Sequence, residues 1–337
     1  MKSRLLAILS AVIGLALFIY VLDQTGLGEI RGNIQKLGAG FLLILAISSS
    51  RYLSRTAAWL RCMSPPERRV GFWTLWRARL AGEAVGDLTF GPVVAEPLRL
   101  IALGDKVSLS SGVSSLAVEN IAYTVSSCLM VMAGAVALLA NFGLQGSVRM
   151  AMLASLAAVT LIVASSVIFI NRRWKLGSGM ASMLARRLVY DQSKRAAIEA
   201  KIDRLRELEE YVFDFYSRRP KDFFLLALCE AAFHFAGVLE IYATLRLMGV
   251  DLNFATAFML ESVNRAINIA FIFVPALVGV DEALTRLLTD TLGLGGTAGV
   301  TLAIVRKIRM FFWIGLGLVF LFASRRAGDR GKRQTSR

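Results

Sequence analysis

The chain has 337 residues, of which 56% are apolar and 19% charged, and its mean hydropathy is +0.59. Soluble domains are about 45–50% apolar and about 25% charged, so this composition excludes a soluble enzyme, a disulfide-stapled secreted module and a disordered chain. The net charge of +15 fits a polytopic membrane protein with basic loops on one side of the bilayer, and no nucleic-acid partner is expected.

Six apolar blocks of about 20 residues predict an all-α membrane helical bundle with six full spans. In chain order, the spans cover about Leu5–Leu22, Phe41–Trp59, Val113–Ala140, Met150–Ile170, Phe223–Leu247 and Val300–Ala323. No small-x-small cleavage site follows the first block, so we interpret it as an anchor and not as a signal peptide. Basic residues gather at the N-terminus, after the second span, in 171–221 and in the tail, which predicts that both termini are cytoplasmic.

Two less apolar segments, about 71–103 and 253–292, predict re-entrant helical hairpins. Each contains Pro, Gly and charged residues and is too polar for two clean spans. The first starts and ends on the cytoplasmic side and the second on the outer side, so the pair predicts an inverted repeat, as in many transporters. Broken backbone at membrane depth is tolerated where it lines an enclosed cavity. Candidate hinge residues of the hairpins are Pro92, Pro275 and Gly279.

Residues 171–221, between the fourth and fifth spans, predict a cytoplasmic amphipathic connector. Apolar residues at Ile198, Ile202, Leu205, Val212 and Phe215 share one helical face. This face predicts packing either against the membrane surface or against another cytoplasmic helix. Residues 1–325 are predicted to form one transmembrane domain, and 326–337 a basic cytoplasmic tail.

Charged residues inside the predicted spans and hairpins are the candidate functional residues, because each costs about 2.5–3.5 kcal/mol on insertion and is retained with a partner or a function. The candidates for a head-group cavity are Glu96, Arg99, Glu119, Glu282, Arg286 and Arg306, and supporting candidates are Arg51, Arg55, Asp87, Glu230, His234 and Arg265. Two interpretations stay open. The charges are either buried ion pairs that lock helices together or a pocket whose arginines bind an anionic head group.

Catalytic and metal-binding signals are weak in this sequence. Its one histidine and three widely separated cysteines predict no metal site, and we expect no cofactor. It has no G-x-S-x-G and no Walker A lysine motif, so an enzyme is not expected. Glu230 and His234, one helical turn apart, form either a helix-packing pair or a proton relay.

The segment "GPVVAEPLR" is similar to the P-x-x-G-E-x-x-R motif of the lysylphosphatidylglycerol synthase transmembrane, or flippase-like, family. Pro92, Glu96 and Arg99 fall in register, and Ala95 replaces the glycine. "VEN" resembles a Glu-Arg pair of the next helix in the family, with Asn120 in place of the arginine. The resemblance covers about residues 5–325.

A second segment, "PALVGVDEA", resembles the P-G-G-x-G-x-x-E motif of the same family. Pro275, Gly279 and Glu282 are retained, while Ala276 and Leu277 replace two glycines. A basic residue of the last helix in the family is matched by Arg306.

The resemblance implies a flippase-like domain of a bacterial inner membrane, with membrane lipids and lipid-biosynthesis enzymes as expected partners. Residues 324–337 alone follow the last span, so no aminoacyl-transferase domain is expected. We predict a transporter that moves a polar or anionic lipid (a phospholipid, aminoacylated lipid, glycolipid or hopanoid-type lipid) between leaflets. The alternatives are a scaffold or accessory subunit of a lipid or envelope biosynthesis complex, and a membrane enzyme that acts on a lipid-linked substrate.

Overall fold

A computed structural model describes residues 20, 27–89, 91–142, 146–188, 192–271 and 274–335. Over these residues the fold is all-α without a strand, which confirms the predicted class. The helices are α1 (Leu27–Leu37), α2 (Gly40–Cys62), α3 (Phe72–Asp87), α4 (Pro92–Leu103), α5 (Leu109–Asn141), α6 (Gly146–Arg172), α7 (Leu176–Leu188), α8 (Gln192–Arg218), α9 (Pro220–Leu247), α10 (Phe254–Ala270), α11 (Val280–Thr291) and α12 (Gly296–Thr335).

Three described helices are long and apolar enough to cross a membrane: α5, residues 149–172 of α6, and α9. A fourth candidate is the pair of α1 and α2, which are bent by 75° at their junction. These four correspond to the second to fifth predicted spans. The first, Leu5–Leu22, falls almost wholly outside the described residues. The sixth lies in α12, which is not among the candidates, so a total of six spans stays a prediction.

Helix pairs occupy both segments in which hairpins are predicted. The helices α3 and α4 run antiparallel, and Gly82 and Gly86 on α3 allow them to approach closely. A Cβ atom on Gly82 would lie 2.7 Å from the carbonyl oxygen of Ala95, and one on Gly86 would lie 3.0 Å from the carbonyl oxygen of Gly91. Small residues four apart are the usual means of close helix contact in membranes. The second pair, α10 and α11, flanks a short 3₁₀ turn at Pro275–Leu277.

The two helix pairs pack reciprocally around the centre of the bundle. The helix α3 packs on α12, which follows the second pair, and α10 packs on α5, which follows the first pair. The helices that precede the two pairs, α2 and α9, pack along each other. Small residues lie at two of these crossings, with Gly317 against the backbone of Leu80 and Gly134 against Ser262. The two helix pairs therefore face each other across a central space.

The connector places its apolar face against protein. Helix α8 buries Ile202, Val212 and Phe215 and packs on α5, α7 and α9. The hydroxyl group of Tyr211 donates a 2.6 Å hydrogen bond to the carbonyl oxygen of Cys62, the last residue of α2. Of the two predicted alternatives for this face, packing against other helices is the one observed.

Candidate functional site

A cavity of about 730 Å³ lies between the two helix pairs. Its charged lining residues are Arg51, Arg55, Glu83, Asp87, Glu96, Arg99, Arg265, Asp281, Arg306, Lys307 and Arg309. Basic side chains outnumber acidic ones in this lining, because further carboxylates stand behind the arginines. A concave site with several convergent charged groups inside an apolar bundle is the default candidate for ligand binding.

On the side of the first helix pair, Arg99 is the central cation. Its guanidinium group contacts the carboxylates of Glu96 at 2.8 Å and Glu83 at 2.9 Å, and 5% of the residue is exposed. Behind it, the fully buried Arg79 contacts Glu83 at 3.1 Å and Glu119 at 2.9 Å. The buried carboxylate of Glu119 therefore balances the positive charge of Arg79 behind the cavity wall.

On the side of the second helix pair, two consecutive cations of α12 meet the start of α11. Nη2 of Arg306 donates to Oγ1 of Thr285 at 2.7 Å and lies 3.1 Å from Oδ1 of Asp281. The Lys307 ammonium group lies 2.8 Å from the Glu282 carboxylate, which also accepts the N–H of Gly279. The start of α11 thus holds both cations in place.

Three arginines surround the ring of Phe233 at another part of the wall. The guanidinium carbons of Arg51, Arg55 and Arg265 lie 5.0, 5.7 and 4.6 Å from the ring centroid, within the range of cation–π contacts. Each is also held by a carboxylate: Arg51 by Glu240 at 3.0 Å, Arg55 by Glu119 at 2.8 Å and Arg265 by Glu261 at 2.5 Å. Glu240 additionally pairs with Arg309 of α12.

Several buried guanidinium nitrogens of this wall have no hydrogen-bond partner in the described part of the chain. They are Nε and Nη1 of Arg306, Nε of Arg99, Nε of Arg309 and Nη1 of Arg55. A buried donor without an acceptor costs about 1–3 kcal/mol. Carboxylate oxygens of Glu96, Glu119 and Glu282 are likewise without a hydrogen-bond partner in the described residues. Phosphate oxygens match the donor geometry of arginine well, so they are one kind of acceptor that suits these arginines.

The turn between α10 and α11 has the backbone conformation that glycine favours. The φ angles of Ala276, Leu277 and Gly279 are +51°, +49° and +81°. For a residue with a Cβ atom this conformation costs about 1–2 kcal/mol. The backbone of the turn therefore has the conformation that favours glycine at Ala276 and Leu277, the two positions where the P-G-G-x-G-x-x-E motif has glycine. Both residues line the cavity.

The structure brings together part of the predicted site. The predicted residues that line the cavity are Glu96, Arg99, Arg306, Arg51, Arg55, Asp87 and Arg265. Glu119 and Glu282 lie behind the lining as ion-pair partners, and Arg286 is not among the lining residues. Pro92 and Pro275 begin α4 and the 3₁₀ turn, and Gly279 precedes α11.

Glu230 and His234 also lie outside the lining. Both contact Oγ of Ser126 on α5, at 3.3 Å and 3.0 Å. Glu230 is in addition 3.7 Å from Arg55. These contacts join α9 to α5, as expected of a helix-packing pair.

Sequence reasoning missed several residues of the wall. Glu83 and Arg79 are not among the residues that the sequence predicts for the site. Their opposite charges, four residues apart on an apolar helix, were the available signal. Lys307 and Arg309 lie in the sixth predicted span, and the structure places both on the cavity wall.

Comparison with known proteins gives one match. Residues 7–318 match the sequence model of the family described as "Lysylphosphatidylglycerol synthase TM region". No curated protein and no solved structure matches the chain. The matched range includes both helix pairs and every lining residue of the cavity.

Proposed function

This chain belongs to the lysylphosphatidylglycerol synthase TM region family, and on that premise we propose that it transports a polar lipid between membrane leaflets. The head group occupies the cavity, while the hydrocarbon chains stay in the bilayer. The observation that carries the proposal is the set of buried, unpartnered guanidinium nitrogens on the cavity wall, with two of them on Arg306. The substrate class is a lipid with anionic oxygens in its head group, such as a phospholipid or an aminoacylated lipid.

Binding of the head group follows from the ion pairs already described. Arg99 lies on α4 of the first helix pair and Arg306 on α12, where it contacts α11 of the second pair; both bind phosphate oxygens in this proposal through nitrogens that have no partner in the described residues. Their carboxylate partners, Asp281 and Glu96, keep each guanidinium group in position when the cavity is empty. A ligand that enters therefore meets oriented donors and does not need to order them.

Movement of the head group is proposed to use an inverted repeat, with α2–α5 as one copy and α9–α12 as the other. The reciprocal packing of α3 on α12 and of α10 on α5 supports this division. The pair Arg55–Glu119 joins α2 to α5, and the pair Glu240–Arg309 joins α9 to α12 with the charges exchanged. The two hairpins are re-entrant in this scheme, and alternating access arises when one repeat rocks against the other.

The proposed location is a bacterial inner membrane with both termini in the cytoplasm. The test uses Gln24→Cys and Ser193→Cys, each in a chain without native cysteines. An impermeant thiol reagent added to intact cells should label Gln24→Cys but not Ser193→Cys. The reverse pattern would overturn the orientation.

The transport proposal is tested with purified protein in liposomes that contain fluorescent phospholipid. We expect lipid exchange between leaflets, slowed at least about tenfold by Arg306→Gln, since tenfold corresponds to one lost interaction of about 1.4 kcal/mol. The matched control is Arg246→Gln, because Arg246 is half-exposed at the end of α9 and pairs with Asp251 outside the cavity. Exchange no faster than in protein-free liposomes would refute the proposal. Chemical conversion of the lipid would favour the enzyme alternative. The absence of both lipid exchange and lipid conversion would favour the scaffold alternative.

A further inference from the structure

Apolar side chains from α6 and from the C-terminal end of α10 join the charged residues in lining the cavity. Ile162 of α6 lines the cavity, as do Ile269 and Phe271 at the end of α10. These three residues are 37%, 43% and 39% exposed, so each keeps accessible apolar surface. Ile162 belongs to a helix whose most apolar stretch is only 6% buried, so a peripheral helix forms this part of the cavity wall.

The lining of α10 changes in character along the helix. Its first lining residues are polar or charged: Asn264, Arg265 and Asn268. The Asn264 amide donates to the buried Glu261 at 3.2 Å, and Asn268 contacts the Asn264 side chain at 3.3 Å. The apolar Ile269 then ends this stretch of the lining. The wall thus passes from polar and charged side chains to hydrocarbon along α10. A membrane lipid has the same order, from its polar head group to its acyl chains.

Helix α6 is held mainly from one direction. It packs on α5, and only 6% of its most apolar stretch is buried. Val159 and Val163 of α6 share a small apolar cluster with Cys128 and Val131 of α5 and Ala266 of α10. Few buried contacts mean that a local separation of α6 from α10 costs little free energy.

We infer that the seam between α6 and α10, defined by Ile162, Ile269 and Phe271, is the passage through which the hydrocarbon chain of the substrate extends from the cavity into the bilayer. This inference rests on the proposed function and narrows its substrate class to molecules with both an anionic head group and a membrane-length chain. Inorganic phosphate presents the same anionic oxygens but leaves the seam empty.

The first test locates the chain. Protein in liposomes is irradiated with phosphatidylglycerol that carries a diazirine at the end of one acyl chain, and the labelled residues are identified by mass spectrometry. We expect labelling of Ile162 and Ile269 that falls about tenfold in Arg306→Gln, because the chain reaches the seam when the head group is bound. The neighbouring Leu161 is 70% exposed and reports annular lipid, so its labelling should not change. Equal labelling of Ile162 in both proteins would overturn the inference.

The second test narrows the passage. Ile162→Trp fills the seam and should slow lipid exchange about tenfold, whereas Leu161→Trp on the adjacent, outward-facing position should change it less than about twofold. Equal rates of lipid exchange by the two variants would overturn the inference about the seam without contradicting the proposed function. The absence of lipid exchange in the unaltered protein would refute the proposed function itself. Uptake of inorganic phosphate into the same liposomes, unaffected by Ile162→Trp, would assign the cavity to a soluble anion and also overturn the inference.

Discussion

Two buried arginines, Arg79 and Arg306, have different sets of partners, and their removal should therefore have different effects. Arg79 has no exposed surface, contacts the carboxylates of Glu83 and Glu119, and donates to the backbone carbonyl of Arg55 at 3.0 Å. Arg306 is 8% exposed and makes its contacts through one nitrogen. Its other two nitrogens have no partner in the part of the chain that the structure describes.

The free energies follow from these partners. Arg79→Met leaves the fully buried Glu119 with one cation in place of two, and breaking a buried ion pair costs about 3–5 kcal/mol. Arg306→Gln leaves Asp281 within 3.8 Å of the Lys307 ammonium group. It also removes unsatisfied donors that each cost about 1–3 kcal/mol, so the net change in stability should lie within about 1 kcal/mol.

The assay combines unfolding in detergent, followed by circular dichroism, with lipid exchange in liposomes. Arg79→Met should unfold at much lower denaturant concentration than the unaltered protein. Arg306→Gln should unfold close to the unaltered protein and yet lose at least about tenfold in exchange rate. If Arg306→Gln destabilises the protein as much as Arg79→Met does, both arginines are structural and the reasoning fails. A stable Arg306→Gln protein with full exchange would refute the role of this residue in head-group binding.

Three further predictions concern the framework around the cavity. Ala276→Gly and Leu277→Gly should each raise the free energy of unfolding by about 0.5–1 kcal/mol. Glycine removes the strain of the left-handed backbone conformation, and this gain exceeds the cost of the greater entropy of the unfolded chain. A lower melting temperature of either variant would contradict this prediction. Gly82→Ala should lower stability by about 1–3 kcal/mol and slow lipid exchange, since its Cβ atom would lie 2.5 Å from Cγ of Arg99. Tyr211→Phe should cost about 1 kcal/mol in detergent unfolding, because the carbonyl oxygen at the end of α2 loses a 2.6 Å hydrogen bond, with no effect on exchange per folded molecule.

Hydropathy located the membrane helices because bilayer thickness sets the length of a span, and this signal lies within about 20 consecutive residues. The blocks at Phe41–Trp59, Val113–Ala140, Met150–Ile170 and Phe223–Leu247 correspond to α2, α5, α6 and α9. Helix pairs were predictable in the same way, from Pro and Gly inside moderately apolar segments. The amphipathic pattern of the connector predicted a helix with one apolar face. The pattern alone did not determine whether this face packs against lipid or against protein.

The candidate site was predictable only as a set of charges. The insertion cost of a charge depends on the local segment, so Arg99 and Arg306 could be recognised from sequence. Their partners could not, because pairs such as Arg79–Glu119 and Arg309–Glu240 join residues that are 40 and 69 positions apart. For the same reason Arg286 was expected in the cavity, while Glu83 was overlooked.

Composition, hydropathy and charge determined by themselves that this is an all-α membrane protein with ionisable residues among its apolar helices, because these properties belong to each residue and its neighbours along the chain. Tertiary structure decided the partners of each arginine: Arg79 contacts two carboxylates and a backbone carbonyl, whereas Arg306 leaves two nitrogens without a partner in the described residues. It also decided that the apolar Ile162 and Ile269 line the same cavity as the charged residues. Both outcomes depend on packing between helices that are far apart in sequence. This packing determines which arginine lies beside a carboxylate and which arginine nitrogen is left without an acceptor.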